Sequence, residues 1–244
     1  MDEQKLSHET IADPVTLSVF VPFFNEEENI EHSVNSIYTA LSSNPRIASF
    51  ELIIVNDGST DSTSVLAHRL LHKYENVRVV EHAQNRGYGG ALKSGFAACT
   101  MDYVFYTDGD LQFDPEEIDL LLQHISEYKV VVGYRKHRKD PFLRIVYAKC
   151  WNILVRTIFG LKLKDINCAF KLLKRDVIED MQLISSGAMV STELLVRVKD
   201  KQVPIKQIAV THQNRLSGTP TGGSIGVILL AFKELITYAQ KLKI

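Results

Sequence analysis

The stretch Val104-Phe105-Tyr106-Thr107-Asp108-Gly109-Asp110-Leu111-Gln112 indicates the fold of this 244-residue chain, because it joins a short apolar strand directly to an acidic turn. Similar apolar runs, rich in β-branched residues, recur on both sides of it. Uniformly apolar strands of this kind are typical of a parallel sheet that is covered on both faces. The predicted strands are residues 17–21, 52–55, 77–80, 104–106 and 130–132.

Helix-start signals lie between these strands. Asn25 with Glu28 predicts a capping box that opens a helix to about residue 41, and Asp114 before Pro115 predicts another helix start. The alternation predicts an α/β fold, with one domain built on a mostly parallel central sheet flanked by helices. Ligands of such sheets bind beyond the carboxyl ends of the strands, which here means residues 22–28, 56–61, 84–90 and 107–112.

Composition narrows the functional classes. A formal net charge of -1 excludes a nucleic-acid binder that works through bulk positive charge. Three scattered cysteines favour a reducing, cytoplasmic compartment, and the polar N-terminus resembles neither a secretory signal nor a transit peptide. Because no run of about 20 apolar residues occurs, we expect a protein that lies on the cytoplasmic face of a membrane if it meets one.

The second half of the chain differs from the first. A predicted helix at 142–159 is apolar on most sides, which fits either core packing or an interfacial helix whose cations face lipid headgroups. We expect a mobile polar tail at residues 1–14, a catalytic domain at 15–221 and a C-terminal amphipathic helix at 222–244. Amphipathic helices thus follow the sheet core and close the chain.

The acidic turn carries the strongest chemical signal. Asp108, Asp110 and Gln112 alternate along an extended stretch, so their side chains can converge on one point. Oxygen ligands of this type favour a hard divalent cation, Mg²⁺ or Mn²⁺, which in turn holds a diphosphate. The alternative is a plain Asp-Gly turn before a helix cap.

Two further loops have weaker signals. Asp57, in Asn56-Asp57-Gly58-Ser59-Thr60-Asp61, can accept hydrogen bonds from a nucleobase or ribose, while the end of that motif can simply cap the next helix. The glycine-rich run Gln84-Asn85-Arg86-Gly87-Tyr88-Gly89-Gly90 precedes a helix and suits phosphate, or serves backbone geometry alone.

Taken together and in this order, these loops and the segment Val21-Pro22-Phe23-Phe24-Asn25-Glu26 resemble family 2 glycosyltransferases of the GT-A fold. Within that family the chain looks like the branch of dolichol-phosphate mannosyltransferases and polyprenyl-phosphate glycosyltransferases. The resemblance implies that Asp108, Asp110 and Gln112 bind the metal and diphosphate, with Asp110 nearest the reacting sugar. The donor nucleotide residues it implies are Pro22, Phe24, Asn25, Glu26, Asp57, Arg86 and Asp108.

The same resemblance implies an inverting transfer of a hexose from a UDP- or GDP-linked donor to a polyprenyl phosphate. Such a phosphate is already largely ionised near neutral pH, so it needs cations and no general base. Arg135, Arg144 and Arg215 are the candidate acceptor-phosphate residues, and Arg135 and Arg215 join Asp110 as the candidate catalytic residues. The alternative for each of the three is a solvated surface arginine. Glu193 is the spare carboxylate if a base is required, and the favoured alternative is a helix-surface position or a structural ion pair.

Departures from the branch concern the acceptor. Tyr134 replaces the usual Ser, Tyr147 stands where Ser is common, and Ala169 replaces a Gly. Three alternatives therefore stay open: a family 2 enzyme that acts on a saccharide hydroxyl in polysaccharide or glycolipid synthesis, a sugar nucleotidyltransferase, and a non-catalytic donor-binding module. The donor's base and sugar, the oligomeric state and the choice of metal stay open as well.

Overall fold

The structure, a computed structural model, describes residues 13–136, 142–215 and 225–242. Within these ranges seven strands form one sheet in the order β3-β2-β1-β4-β6-β5-β7. All neighbours pair in parallel except β6, which is antiparallel to both β4 and β5. The strands are β1 (Val15–Phe23), β2 (Ile47–Asn56), β3 (Val77–Glu81), β4 (Tyr103–Thr107), β5 (Val130–Arg135), β6 (Phe170–Lys174) and β7 (Ile205–Val210).

Helices connect the strands. A 3₁₀ turn at Pro115–Glu117 precedes the fourth helix. Asp114 caps the N-terminus of this turn, because its side chain accepts a hydrogen bond from the Glu116 amide at 3.0 Å. The helices are α1 (Ile30–Ser43), α2 (Thr63–Lys73), α3 (Tyr88–Ala98), α4 (Ile118–Leu122), α5 (Phe142–Phe159), α6 (Arg175–Ile178), α7 (Val190–Asp200) and α8 (Ile225–Lys241).

The predicted α/β class is confirmed, and each of the five strands predicted in the first half is present. The capping box predicted at Asn25 is wrong. Asn25 has a φ of 54°, in the left-handed region, and α1 begins only at Ile30. The Asn25 Oδ1 atom instead accepts from the Thr60 amide at 2.8 Å, so this side chain joins two loops.

Close packing brings α3 to the functional edge of the sheet. The Phe20 ring stacks on Tyr106 and meets Phe96 edge-on. A Cβ at Gly95 would lie 2.3 Å from the Phe20 ring, so α3 approaches β1 as closely as only glycine permits. The N-terminus of α3 lies at the carboxyl edge of β4, where its first residue, Tyr88, contacts Asp108.

The two long helices of the second half have both a buried and an exposed apolar face. In α5, Val155 is fully buried whereas Ile153 is 63% exposed. In α8, Leu235 is buried whereas Leu229 is 64% and Ile236 is 56% exposed. Core packing thus accounts for one face of α5 only. No helix in the described part of the chain is long and apolar enough to cross a membrane.

Candidate functional site

The loops after β1 and β2 meet at the carboxyl edge of the sheet. The Asp57 amide donates to Phe23 O at 2.9 Å, and the Asn25 amide donates to Ser59 Oγ at 3.0 Å. The Glu26 amide donates to Thr63 Oγ1 at 2.9 Å. The structure therefore brings the predicted donor residues Asn25, Glu26 and Asp57 to one edge, and their binding role stays a prediction.

Asp57 is buried and organises the glycine-rich loop. Its Oδ1 atom accepts from the Arg86 amide at 2.9 Å and lies 2.6 Å from His82 Nδ1. The other ring nitrogen of His82 lies 2.8 Å from Ser94 Oγ on α3. Sequence reasoning missed His82, although its position directly after β3 was a signal that it could face the same edge.

The acidic turn is shaped by tight packing. Leu111 adopts a φ of 60°, and the Gln112 amide donates to Asp110 Oδ1 at 3.2 Å. A Cβ at Gly109 would lie 2.2 Å from the Phe23 ring, so only glycine lets the turn pass over β1. Packing against Phe23 therefore fixes the position of Gly109, and Asp108 and Asp110 flank it in the turn.

The electrostatics of this turn favour a bound cation. Removal from water, followed by the negative charge of Asp110, raises the pKa of Asp108 to about 7. A carboxyl group with so high a pKa is stabilised in its ionised form when a positive ion lies beside it.

Two groups that the sequence reasoning did not single out support Asp108. The Tyr88 hydroxyl donates to Asp108 Oδ1 at 3.1 Å, and burial together with that carboxylate raises the pKa of Tyr88 well above its ordinary value. Lys171 is fully buried on β6, where burial lowers its pKa to about 8. Its Nζ atom donates to Cys168 O and lies 5.4 Å from the centre of the Tyr106 ring.

The donor set of the turn suits a hard divalent ion by its oxygen chemistry. Across the described ranges no three His, Cys, Asp or Glu side chains form a metal-binding group. Asp108 and Asp110 supply two carboxylates, and further oxygens have to come from Gln112, a bound diphosphate or water. The Gln112 amide nitrogen donates to Gln213 O at 3.1 Å, which orients that side chain toward the loop after β7.

Arg215 reaches the acidic turn from a distant part of the chain. Its Nη1 atom lies 3.6 Å from Asp110 Oδ2, and its Nη2 atom donates to Glu26 Oε1. The guanidinium thus bridges a predicted donor residue and the predicted metal site. The remainder of the predicted loop, residues 216–223, lies outside the described residues.

Arg135 forms a nearly buried ion pair at the end of β5. Its Nε and Nη2 atoms donate to the two oxygens of Asp165 at 2.6 and 2.9 Å. Arg135 ends β5 and the acidic turn follows β4, at the same edge of the sheet with β6 between the two strands, and the positive charge of Arg135 favours the ionised form of Asp108. Arg144 belongs to α5, but its side chain is outside the described residues.

A cleft of about 370 Å³ opens beside Arg135, between the end of β5 and α5. Asn152 ties its two walls together, since its Nδ2 atom donates to Lys164 O at 2.9 Å. Lys164 Nζ lies 4.2 Å from the centre of the Tyr134 ring, so the aromatic residue at this position holds a cation at the cleft. The cationic side chains that line the cleft are Arg135, Lys136, Lys149 and Lys164.

Glu193 is not placed to act as a base. It is fully buried, and its carboxylate accepts from the amides of Ile184 and Ser185 and from Arg197 Nε at 2.9 Å. These contacts give it a structural role on α7.

The comparison with protein families decides the affiliation of the chain. The protein-family model that is described as glycosyl transferase family 2 matches residues 18–182 of the sequence. The chain belongs to glycosyl transferase family 2. Every strand from β2 to β6 and the whole acidic turn lie within that match.

Sequence similarity extends to a named enzyme. The dodecaprenyl-phosphate galacturonate synthase of Rhizobium johnstonii is 34% identical over 218 residues, which are 86% of this chain and 64% of that protein. The chain thus spans less than two thirds of the length of this relative.

Solved structures share the fold. Glucosyl-3-phosphoglycerate synthase of Mycobacterium tuberculosis, in complex with Mn²⁺, UDP and glucosyl-3-phosphoglycerate, has a TM-score of 0.72 at 21% identity, covering 93% of this chain and 80% of that one. The same enzyme with Mg²⁺ and UDP gives a TM-score of 0.70 at 21% identity, with the same coverage.

Proposed function

We propose that this chain transfers a sugar, with inversion, from a nucleoside diphosphate sugar to a polyprenyl phosphate at a membrane surface. The observation that carries the proposal is that the cleft at Arg135, at the end of β5, and the carboxylate pair of Asp108 and Asp110, after β4, lie at the same edge of the sheet with only β6 between the two strands. The carboxylate pair suits a diphosphate that carries a divalent cation, and the cleft suits a phosphate that carries no cation.

The donor end of the site is built from the loops after β1 and β2 and from the N-terminus of α3. The Asp57 carboxylate fixes the Arg86 amide, and the backbone amides that begin α3 favour negative charge. A divalent cation held by Asp108 and Asp110 would neutralise the charge that develops on the leaving diphosphate.

The acceptor end needs an anion site and no base. The net charge of the chain is -1, and Asp165 already pairs with Arg135, so the three lysines around the cleft, Lys136, Lys149 and Lys164, are a local excess of positive charge. A phosphate monoester has a second pKa of about 6 and is largely a dianion at neutral pH, ready to attack without losing a proton. The engagement of Glu193 in structural hydrogen bonds agrees with this reaction.

The lipid class of the acceptor is supported by two observations. The name of the Rhizobium relative specifies dodecaprenyl phosphate as the molecule that carries the sugar. In addition, α5 lines the cleft and exposes Tyr147 and Ile153, while α8 packs beside it through a Trp151–Phe232 ring contact at 5.7 Å. Exposed apolar side chains beside cations are typical of helices that lie on a membrane surface.

A product analysis tests this function. Purified protein, Mn²⁺ and a panel of UDP- and GDP-sugars are incubated with undecaprenyl phosphate in vesicles, and we expect nucleoside diphosphate and a glycosylated lipid phosphate. Release of pyrophosphate would identify a nucleotidyltransferase instead. Transfer to a saccharide but not to the lipid would assign the other family 2 acceptor class, and donor binding without any transfer would indicate a binding module.

The cleft is tested by charge removal. We expect Lys149→Ala combined with Lys164→Ala to raise the KM for the lipid phosphate about tenfold, because two of the three lysines that line the cleft are lost, while the KM for the donor stays unchanged. Arg69→Ala combined with Lys73→Ala removes two cations from α2, outside the cleft, and is the matched control. An equal effect of both changes would contradict the assignment of the cleft.

A further inference from the structure

Four successive backbone amides, of residues 184–187, are held by two carboxylates from different helices. Glu193 on α7 accepts from Ile184 and Ser185, at distances between 2.8 and 3.1 Å. Glu234 on α8 accepts from the Ser186 amide at 2.7 Å and from the Gly187 amide at 2.9 Å. We name residues 184–187 the bridging segment.

The other side of the bridging segment contacts the glycine-rich loop. The Gly89 amide donates to Ser186 O at 2.8 Å. A Cβ at Gly89 would lie 2.5 Å from Ser185 O, and one at Gly87 would lie 2.8 Å from Ser186 O. Both glycines are therefore required by this contact, because any side chain there would push the two backbones apart.

These contacts form one continuous path from α8 to the proposed donor site. Glu234 binds Ser186, Ser186 binds Gly89, and Gly89 lies in the first turn of α3 near Tyr88, which donates to Asp108. Ser186 Oγ adds a third hydrogen bond to Glu234, at 2.9 Å. Hydrogen bonds to an ionised carboxylate are about twice as strong as neutral ones, so the link is well suited to hold the loop in place.

We propose that Glu234 is a positioning residue for donor binding, and that through the bridging segment it makes α8 a structural part of the donor site. α8 carries exposed Leu229 and Ile236 on its outer side and Glu234 on the side that faces the bridging segment. The helix that presents an apolar surface to its surroundings thus also determines the position of the loop beside the diphosphate. The identity of the bound ligand rests on the proposed function, whereas the link from α8 to the loop does not.

Hydrogen exchange measures the link without any ligand. In Glu234→Ala we expect the amides of Ser186 and Gly187 to exchange faster, and the Gly89 amide to follow by about tenfold, because its acceptor is no longer held. The amides of the central strands β1 and β4 are expected to keep their protection. Lys233→Ala, an exposed neighbour on the same helix, is the matched control and leaves Gly89 unchanged.

Nucleotide binding gives the functional readout. With Mn²⁺ and UDP or GDP as the probe, we expect Glu234→Ala to weaken binding about tenfold through loss of pre-organisation, and to raise the donor KM with little change in kcat. Glu234→Gln keeps one acceptor oxygen and is expected to restore most of the affinity. If the alanine variant does not fold, the glutamine variant and Glu234→Asp carry the comparison through their Gly89 exchange and donor KM.

The outcomes separate the two proposals. Unchanged Gly89 exchange in a folded Glu234→Ala protein overturns the link, as does a uniform rise in exchange across β1 and β4. Wild-type protein that binds neither UDP nor GDP with Mn²⁺ overturns the proposed function, while the exchange result still decides whether α8 supports the loop.

Discussion

The affinity of this chain for Mn²⁺ should depend on pH through Asp108. Because burial and Asp110 raise the pKa of Asp108 to about 7, a proton competes with the metal across the neutral range. The ionised fraction is about nine tenths at pH 8 and about one eleventh at pH 6, so apparent Mn²⁺ affinity should fall about tenfold between them. Isothermal titration calorimetry with Mn²⁺ in the presence of UDP measures this change.

Thermal unfolding gives an independent reading with a definite sign. The pKa of Asp108 is higher in the folded protein than the ordinary value of 3.8, so the folded state retains this proton more tightly than the unfolded chain. The resulting stability is complete below about pH 4 and is lost as pH rises through about 7. Mn²⁺ favours the ionised group, so the increase in Tm that it causes should grow from pH 6 to pH 8.

Two variants isolate the responsible carboxyl. Asp108→Asn removes the titrating group and should leave any residual Mn²⁺ response flat between pH 6 and pH 8. Glu75→Gln removes an exposed acid after α2 and should keep the wild-type profile. An Mn²⁺-induced increase in Tm of the same size at pH 6 and pH 8 in the wild type would refute the coupling of Asp108 to the metal.

Three further changes have definite expected outcomes. Asp110→Asn should abolish sugar transfer while circular dichroism shows an unchanged fold. Near-normal turnover would show that the reaction does not need a metal held by Asp110. Gly109→Ala places a Cβ 2.2 Å from the Phe23 ring and should lower the free energy of unfolding by about 1–3 kcal/mol in denaturant titrations; Phe23→Leu in the same chain should recover part of that loss. Leu229→Ser with Ile236→Ser should weaken sedimentation with anionic vesicles severalfold while Tm stays within a few degrees, because both side chains are exposed.

Local patterns were sufficient for much of the fold. Apolar runs of β-branched residues marked five strands of the first half, because a strand buried on both faces is apolar at most of its positions. The Asp114 cap was predictable because an N-cap bonds within its own turn. The capping box at Asn25 failed since that side chain bonds to Thr60, a partner 35 positions away.

Local spacing also predicted the acidic turn and its position at the carboxyl end of a buried strand. The pKa of Asp108 was not, because it depends on burial and on Tyr88 and Lys171, which come from other elements. The spacing of residues along the sequence does not predict such contacts, because they form only when separate elements pack together.

What the amino-acid pattern determined is therefore the α/β class, the order of the loops and the chemical type of each one. Tertiary structure alone decided that Arg215 meets Asp110, that Arg135 is paired with Asp165 beside a cationic cleft, and that Glu234 supports the glycine-rich loop through Ser186. Strands and helix caps depend on interactions between residues that are neighbours in the sequence, so the sequence alone predicts them. These three contacts join residues 30 to 105 positions apart, and their geometry is set by how the sheet orders its strands and how α8 packs against them.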